Sequence, residues 1–430
     1  MPPRPAWFIV FLLLGASLAH LGCASPPAPA REAAVAWRRP LRGLKLERTA
    51  ARLERGRYLA SALLQCAMCH SERDFKRPGA PPAAGLEFAG AILRADSTSR
   101  LVAPNLTPDP STGAGTWTDD MFIRAIREGV GHDGRALHPQ MWYGSFRDLS
   151  DEDVASVVVY LRSLPPVRHP LPATLLPEKR RREIEASLQP LTAAVPMPDT
   201  ASDVGRGRYL VRVADCSGCH TAWEAARNPG IFAGGNPIER HDGGVVFSRN
   251  ITPHPTGIGA WDTPTFIGVI RSGKSGTMDP VMPWVVFRGL SDRDLAAIDA
   301  VLRTMAPCAH LVDNTTPPTF CVVCRQTHGL GDQNAIENVH GIALAAAELD
   351  SCAGTYRSEQ YGFSRTVTRK GRQLFGSEQG GPPIELVPVS ARHFLAPGWL
   401  APVDFVRDAS GHVTAMISCE LDSLPLARVR

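Results

Sequence analysis

The 430-residue chain lacks a surplus of charge: 46 Lys and Arg against 42 Asp and Glu leave a formal net charge of +4. A face that neutralises a phosphate backbone needs a strongly basic balance, so nucleic-acid binding is not expected. The chain also lacks a clear membrane-spanning run. The one extended apolar stretch goes from Trp7 to Leu14 and on through Gly15-Ala16-Ser17, behind Arg4. A span needs about 20 apolar residues, so residues 1–22 read as a secretory signal peptide.

That segment ends at Leu21-Gly22-Cys23-Ala24-Ser25, which resembles a bacterial lipoprotein cleavage site with Cys23 as the lipidated residue. His20 stands where such sites usually carry Leu. The expectation is a periplasmic protein anchored to the membrane through Cys23, the alternatives being a plain secreted protein or an uncleaved anchor, with residues 23–50 as a tether that is rich in Pro and Ala at its start.

An oxidising compartment permits disulfides, but four of the ten cysteines follow another pattern. Cys66-Ala67-Met68-Cys69-His70 and Cys216-Ser217-Gly218-Cys219-His220 are both C-x-x-C-H. Two thiols at this spacing form thioethers to the vinyl groups of haem, and the next imidazole is held under the iron. Zinc needs four ligands, and its thiol pairs are not normally followed each time by His. Two covalently attached haem c groups are expected.

The surroundings of the motif repeat as well. Gly56-Arg57-Tyr58-Leu59 precedes the first copy and Gly207-Arg208-Tyr209-Leu210 the second. Downstream, Asn105-Leu106-Thr107-Pro108 matches Asn250-Ile251-Thr252-Pro253. Trp117 then matches Trp261, and Pro139-Gln140-Met141 matches Pro280-Val281-Met282. Ser150 and Ser291 read as helix N-caps with Asp153 and Asp294 three positions on, a capping-box variant. Apolar residues at helical spacing follow, from Val154 to Leu161 and from Leu295 to Leu302. Each unit is expected to be a small helical domain whose core is completed by haem.

The second axial ligand sets the chemistry, because a Met sulfur raises the reduction potential whereas an open site permits peroxide or oxygen chemistry. Met141 and Met282 hold matching places, each behind a proline two positions earlier. They are the expected partners of His70 and His220. His132 and His138 compete in the first unit, and Met278 in the second.

These blocks resemble the class I cytochrome c domains in cytochrome subunits of membrane-associated alcohol, gluconate and related sugar dehydrogenases. The resemblance implies two all-α cytochrome c domains at 51–168 and 200–306, joined by a linker at 169–199. It also implies His/Met ligation and electron relay from a periplasmic dehydrogenase toward a quinone or terminal oxidase. Such subunits commonly carry three haem domains, and this chain has two. The alternatives are a haem enzyme, such as a di-haem peroxidase or thiosulfate-type oxidoreductase, and a redox-sensing interaction protein. Lys179-Arg180-Arg181-Arg182 in the linker reads as a solvated helix turn in preference to a docking site.

Beyond Pro307 the pattern stops, since Cys321-Val322-Val323-Cys324 is followed by Arg325. Residues 307–348 read as a Cys-containing linker. Cys308, Cys321 and Cys324 offer a disulfide with one thiol left over, or a metal site with His310 or His328; the compartment favours the disulfide. From residue 349 to 430 the texture is β, with runs at Phe363–Phe375 and Ile384–Val389. Asp408-Ala409-Ser410-Gly411 lies between two further runs as a hairpin turn. This segment resembles the small antiparallel lipocalin-like domain appended to some β-lactamase-related hydrolases, without a hydrolase nucleophile motif. Cys352 and Cys419 are candidates for a disulfide closing its sheet.

Overall fold

Thr49 opens the first helix by accepting the amide of Arg52 on its hydroxyl (3.2 Å), which satisfies one of the free amides of the first turn. In this computed structural model the described residues are 37–430, apart from 225–228, 241, 274–280, 335–341, 359–362, 379–380, 389, 397–402, 419–423 and 430. Residues 1–22, expected to be a signal peptide, Cys23, most of the expected tether, Met278, Pro280 and Cys419 therefore lie outside the described residues.

The first unit runs α1 (Ala50–Tyr58), a π turn at Leu59–Leu63, α2 (Cys66–Cys69), β1 (Ala91–Ala95), β2 (Arg100–Ala103), α3 (Asp119–Glu128), α4 (Tyr143–Phe146) and α5 (Asp151–Ser163). After α6 (Glu178–Ser187) the second unit repeats the order. It runs α7 (Asp203–Val213), α8 (Cys216–His220), β3 (Pro237–Glu239), β4 (Val245–Phe247), α9 (Thr263–Ser272), α10 (Trp284–Phe287) and α11 (Asp292–Leu302). The units are thus not purely helical: β1 pairs with β2 and β3 with β4, each as a short antiparallel hairpin. The segment between them is not an inert linker either. Its Arg180, Arg181 and Arg182 pair with Glu178, Glu183 and Glu185 along α6, while Ile184 is buried against the first unit.

In each unit the first and last helices cross at a glycine of the repeated Gly-Arg-Tyr-Leu. A Cβ on Gly56 would lie 1.9 Å from the Ser156 carbonyl oxygen, and one on Gly207 1.9 Å from that of Ala297, so only glycine admits the approach. One apolar cluster runs through both units, joining Leu59, Phe122 and Val158 to Leu210, Phe266 and Val301.

The two units also complete each other's helix caps. Ser150 and Ser291 accept the amides of Asp153 and Asp294, as expected of N-caps. The Asp side chains do not return to the cap amides in the manner of a capping box. The hydroxyl of Tyr209, from the second unit, accepts from Ser150 N (3.2 Å) and donates to Asp153 Oδ2 (2.7 Å). Tyr58, from the first unit, does the same at Ser291 N (3.1 Å) and Asp294 Oδ2 (2.5 Å). Asp is one methylene shorter than Glu, and a tyrosine of the opposite unit fills the gap. Arg55 and Arg206 hold the same two carboxylates from their own units.

The chain continues through β5 (Asp313–Phe320) and β6 (Thr327–Gly329), an antiparallel hairpin, and α12 (Ala346–Cys352). Eight strands then close an up-and-down barrel: β7 (Gly354–Arg357), β8 (Ser364–Lys370), β9 (Gln373–Glu378), β10 (Ile384–Pro388), β11 (His393–Leu395), β12 (Val403–Arg407), β13 (Val413–Ser418) and β14 (Leu424–Arg428). The expected single run Phe363–Phe375 is two strands, because Gly371 (φ 61°) turns the chain between β8 and β9. The turn at Asp408–Gly411 joins β12 to β13 as expected, with Gly411 at φ 89°. Tyr356, Phe394 and Phe405 fill the barrel, and Cys352 lies buried beside them. Among the described residues no helix is long and apolar enough to cross a membrane.

Replacing Tyr209 with Phe removes the acceptor of the Ser150 amide and the donor to the buried Asp153, a loss of about 1–3 kcal/mol of stability. Urea unfolding followed by circular dichroism should show a lower midpoint for Tyr209→Phe. Tyr58→Phe should shift it in the same direction, and unchanged midpoints in both would refute the cross-unit caps.

Candidate functional site

Both C-x-x-C-H segments are launched by the same backbone event. The helix before each one stops at a residue in the left-handed region, Gln65 (φ 57°) or Asp215 (φ 56°), an uncommon conformation for a residue with a side chain. In the first unit a π turn closed by Leu64 N to Leu59 O (2.8 Å) precedes the stop; π turns concentrate at functional positions. One helical turn then sets the two cysteines and the histidine, with His70 N donating to Cys66 O (2.9 Å).

Each histidine is then oriented by a backbone carbonyl. His70 Nδ1 donates to Pro104 O (2.8 Å) and His220 Nδ1 to Arg249 O (2.7 Å). A carbonyl only accepts, so Nδ1 carries the proton and Nε2 keeps its lone pair for a metal. Burial lowers the proton affinity of both rings, which keeps them in the neutral form that ligation requires. Burial pushes the thiols the other way, Cys66 and Cys216 to about 12 and Cys219 to about 11, so they stay protonated near neutrality.

The accepting carbonyls belong to the residues just before Asn105-Leu106-Thr107-Pro108 and Asn250-Ile251-Thr252-Pro253. Asn250 Oδ1 accepts from the amide (2.9 Å) and hydroxyl (2.8 Å) of Thr252, while its Nδ2 donates to the carbonyls of Cys308 (2.8 Å) and His310 (3.1 Å). Asn105 repeats this on Thr107 and on the carbonyl of Val167 (2.8 Å). The motif therefore locks the carbonyl in place and ties it to a strap arriving after the last helix of each unit. On the other side, Gly90 and Gly234, both at positive φ, donate their amides to the carbonyls of His70 and His220 (2.8 Å each).

The structure brings Cys66, Cys69, His70 and Met141 onto one largely apolar cavity of about 280 Å³, also walled by Phe122 and Trp142. His132 and His138 line it too, but His132 stacks on Trp117 at 4.4 Å. His138 Nδ1 accepts from Gln140 N (3.2 Å) and so caps the turn that carries Met141. In the second unit Cys216 and Met282 both pack against the shared core, and Met282 lies two residues before α10 as Met141 lies two residues before α4. An apolar cavity bounded by two thiols, a pre-oriented imidazole and a thioether fits a covalently held haem.

Among the described residues no disulfide is formed. Cys308, Cys321 and Cys324 are unbridged, so the expected disulfide among them is not realised, and Cys352 is unbridged with Cys419 outside the described residues. Cys321 and Cys324 instead face His310 and His328. This is the metal-site alternative that the sequence offers beside the disulfide, and a further signal for it lies in the repeat. The repeat extends past the last helix, where Pro307-Cys308-Ala309-His310 matches Pro166-Val167-Arg168-His169. His169 and His310 make equivalent Nδ1 bonds, to Ala89 O (3.0 Å) and Ala233 O (2.7 Å).

The cytochrome c family matches residues 53–165. The fructose dehydrogenase cytochrome subunit of Gluconobacter japonicus is 30% identical over 70% of this chain and 63% of its own length. The cytochrome c subunit of the quinone alcohol dehydrogenase of Gluconacetobacter polyoxogenes is 28% identical over 73% of this chain and 66% of its own. A diheme cytochrome c-type protein of Cereibacter sphaeroides is 30% identical over 44% of this chain and 63% of its own. The chain spans less than two thirds of the length of each of these relatives. It thus carries a cytochrome c domain, which holds haem c covalently, followed by an antiparallel eight-stranded barrel.

Asn250→Ala would leave two carbonyls and the Thr252 groups short of partners in a buried place, at about 1–3 kcal/mol for each group left unsatisfied. Thermal unfolding of the haem-loaded protein should begin several degrees lower for Asn250→Ala than for the unaltered chain. An unchanged curve would show that the strap is held by other means.

Proposed function

We propose that this chain is a periplasmic di-haem cytochrome c that accepts electrons one at a time from a dehydrogenase partner and passes them toward a quinone or terminal oxidase. The observation that carries the reading is duplication. A left-handed residue, a C-x-x-C-H turn, a carbonyl-oriented histidine and a methionine before a short helix recur in the same order around one core. Haem c bound at such a site supplies an iron couple that changes by one electron.

In this reading Cys66 and Cys69, and Cys216 and Cys219, hold the two groups, with His70 and His220 as proximal ligands. Met141 and Met282 would each supply a thioether sulfur as the second iron ligand, which raises the potential. The hydrogen bonds from His70 and His220 to backbone carbonyls hold each ring at one angle, so little rearrangement accompanies a change of charge. One apolar cluster links the elements that carry the two sites. Cytochrome subunits of fructose, alcohol and gluconate dehydrogenases among the relatives support a dehydrogenase as donor. Lipidation at Cys23 would keep the chain beside a membrane-bound partner.

Two measurements test this. Met141→Ala and Met282→Ala should each leave thioether-bound haem in place while lowering the potential of one haem; potentials equal to those of the unaltered chain would remove the ligands from the scheme. The chain isolated from its native membrane should co-purify with a dehydrogenase whose substrate reduces both haems. Ready carbon monoxide binding at both reduced haems would rule out a pure electron carrier.

A further inference from the structure

The hairpin β5–β6 and the strap before it gather four side chains of one chemistry. His310, Cys321, Cys324 and His328 are at most 1% exposed, and their ligand atoms all lie within 4.8 Å of one another. We propose that these four residues hold one zinc ion in a closed tetrahedral site that braces the loop around the second C-x-x-C-H motif.

The distances suit a single ion. Cys321 Sγ lies 3.6 Å from His310 Nε2, and Cys324 Sγ lies 3.3 Å from His328 Nε2. Zinc–sulfur bonds of about 2.3 Å and zinc–nitrogen bonds of about 2.0–2.1 Å at tetrahedral angles place sulfur and nitrogen about 3.6 Å apart. Both rings are set for ligation through Nε2. His310 Nδ1 donates to Ala233 O (2.7 Å) and His328 Nδ1 to Gly329 O (2.9 Å), which leaves both Nε2 lone pairs aimed at the sulfurs. Without a cation, this arrangement buries two lone pairs against two weak donors.

Local structure produces the convergence. Cys321 closes β5 and its amide donates to Gln326 O (2.8 Å) across the turn. Arg325, directly after Cys324, takes the left-handed conformation (φ 56°) and reverses the chain, so that His328 on β6 returns beside Cys324. The spacing Cys-x2-Cys-x3-His falls among zinc-ligand spacings, and His310 arrives from the strap. Cys308 is not a fifth ligand, since its thiol donates to Pro229 O (3.1 Å). A two-iron cluster would put the cysteine pair and the histidine pair on separate irons, whereas here each sulfur touches an imidazole. Two thiolates and two imidazoles in a closed tetrahedron favour zinc, in a structural role.

The ion would sit one residue from the machinery of the second unit. Ala233, whose carbonyl receives His310, is followed by Gly234, whose amide holds the His220 carbonyl. A Cβ on the next residue, Gly235, would lie 2.9 Å from His310 Cε1 and 3.4 Å from Cys324 Sγ, so the loop backbone presses directly on two ligands. In the first unit His169 makes the equivalent bond to Ala89 O with no cysteine supplied to it, and the strap is secured by mutual amide–carbonyl bonds between Arg100 and Leu175 (2.8 and 2.7 Å).

Elemental analysis of the full, haem-loaded chain should find one zinc per chain. The zinc K-edge, which haem iron does not mask, should show two sulfurs at about 2.3 Å and two nitrogens at about 2.0–2.1 Å. Cys321→Ser and His328→Ala should each cut bound zinc at least about tenfold with haem content retained. Should either variant fail to fold, the zinc edge and thiol count of the unaltered chain still decide. Overturning results are a zinc-free chain whose Cys321 and Cys324 form a disulfide, a zinc shell of oxygen and nitrogen only, or iron in excess of haem with no zinc.

Discussion

Everything around each C-x-x-C-H motif hangs on one hydrogen bond, from the histidine Nδ1 to a backbone carbonyl. That bond fixes the tautomer and the angle of the ring, and both must be set before a metal arrives. A carbonyl is a dependable acceptor only if the peptide that bears it cannot rotate. Pro104 and Arg249 satisfy this because the next residue is an Asn whose side chain is fully engaged, on Thr107 and Val167 in one case and on Thr252, Cys308 and His310 in the other. The strap is thus part of the site even though it begins some 90 residues beyond the motif it serves.

Joining two such units through their helix caps has an energetic consequence. The Ser150 and Ser291 amides are orphan donors at helix starts, and each finds its acceptor only on a tyrosine of the other unit. A unit cut out alone would expose that amide, take the tyrosine hydroxyl from a buried carboxylate and open the shared apolar cluster. The arrangement is reciprocal, so neither half is merely the platform for the other. Rigid juxtaposition of this kind suits electron relay, where the distance between two centres must not wander.

How much of this was legible follows the sequence distance between partners. C-x-x-C-H is read at once because five consecutive residues carry the chemistry. The caps at Ser150 and Ser291 are equally plain, whereas nothing within Gly-Arg-Tyr-Leu marks its tyrosine as completing the cap of the opposite unit. The N-x-T-P repeat was visible without a role, since its Asn acts on carbonyls about 60 residues away. The two-stranded hairpins were missed because three- to five-residue strands carry too little alternation to register. In the barrel, the turn at Asp408–Gly411 was clear from composition, whereas Gly371 alone was too weak a signal to split its run.

The two straps show how the same problem receives different solutions after duplication. In the first unit the strap pairs with β2 and then enters α6, whose Ile184 adds apolar contact. His70 beneath it is 4% exposed. In the second unit the strap turns instead into β5 and β6, a hairpin whose longer strand β5 is largely exposed and which bears Phe320 and Val322 on its outside. A segment of some 25 residues cannot bury enough apolar surface to hold itself in place. Four metal-ligating side chains at its centre replace the missing core with a few strong, directional bonds, the device by which small segments generally gain rigidity. The cysteines that interrupt the haem pattern after Pro307 are then no relic of a third haem site. They are what allows the chain to leave the second unit and reach the barrel without loosening the loop that holds His220.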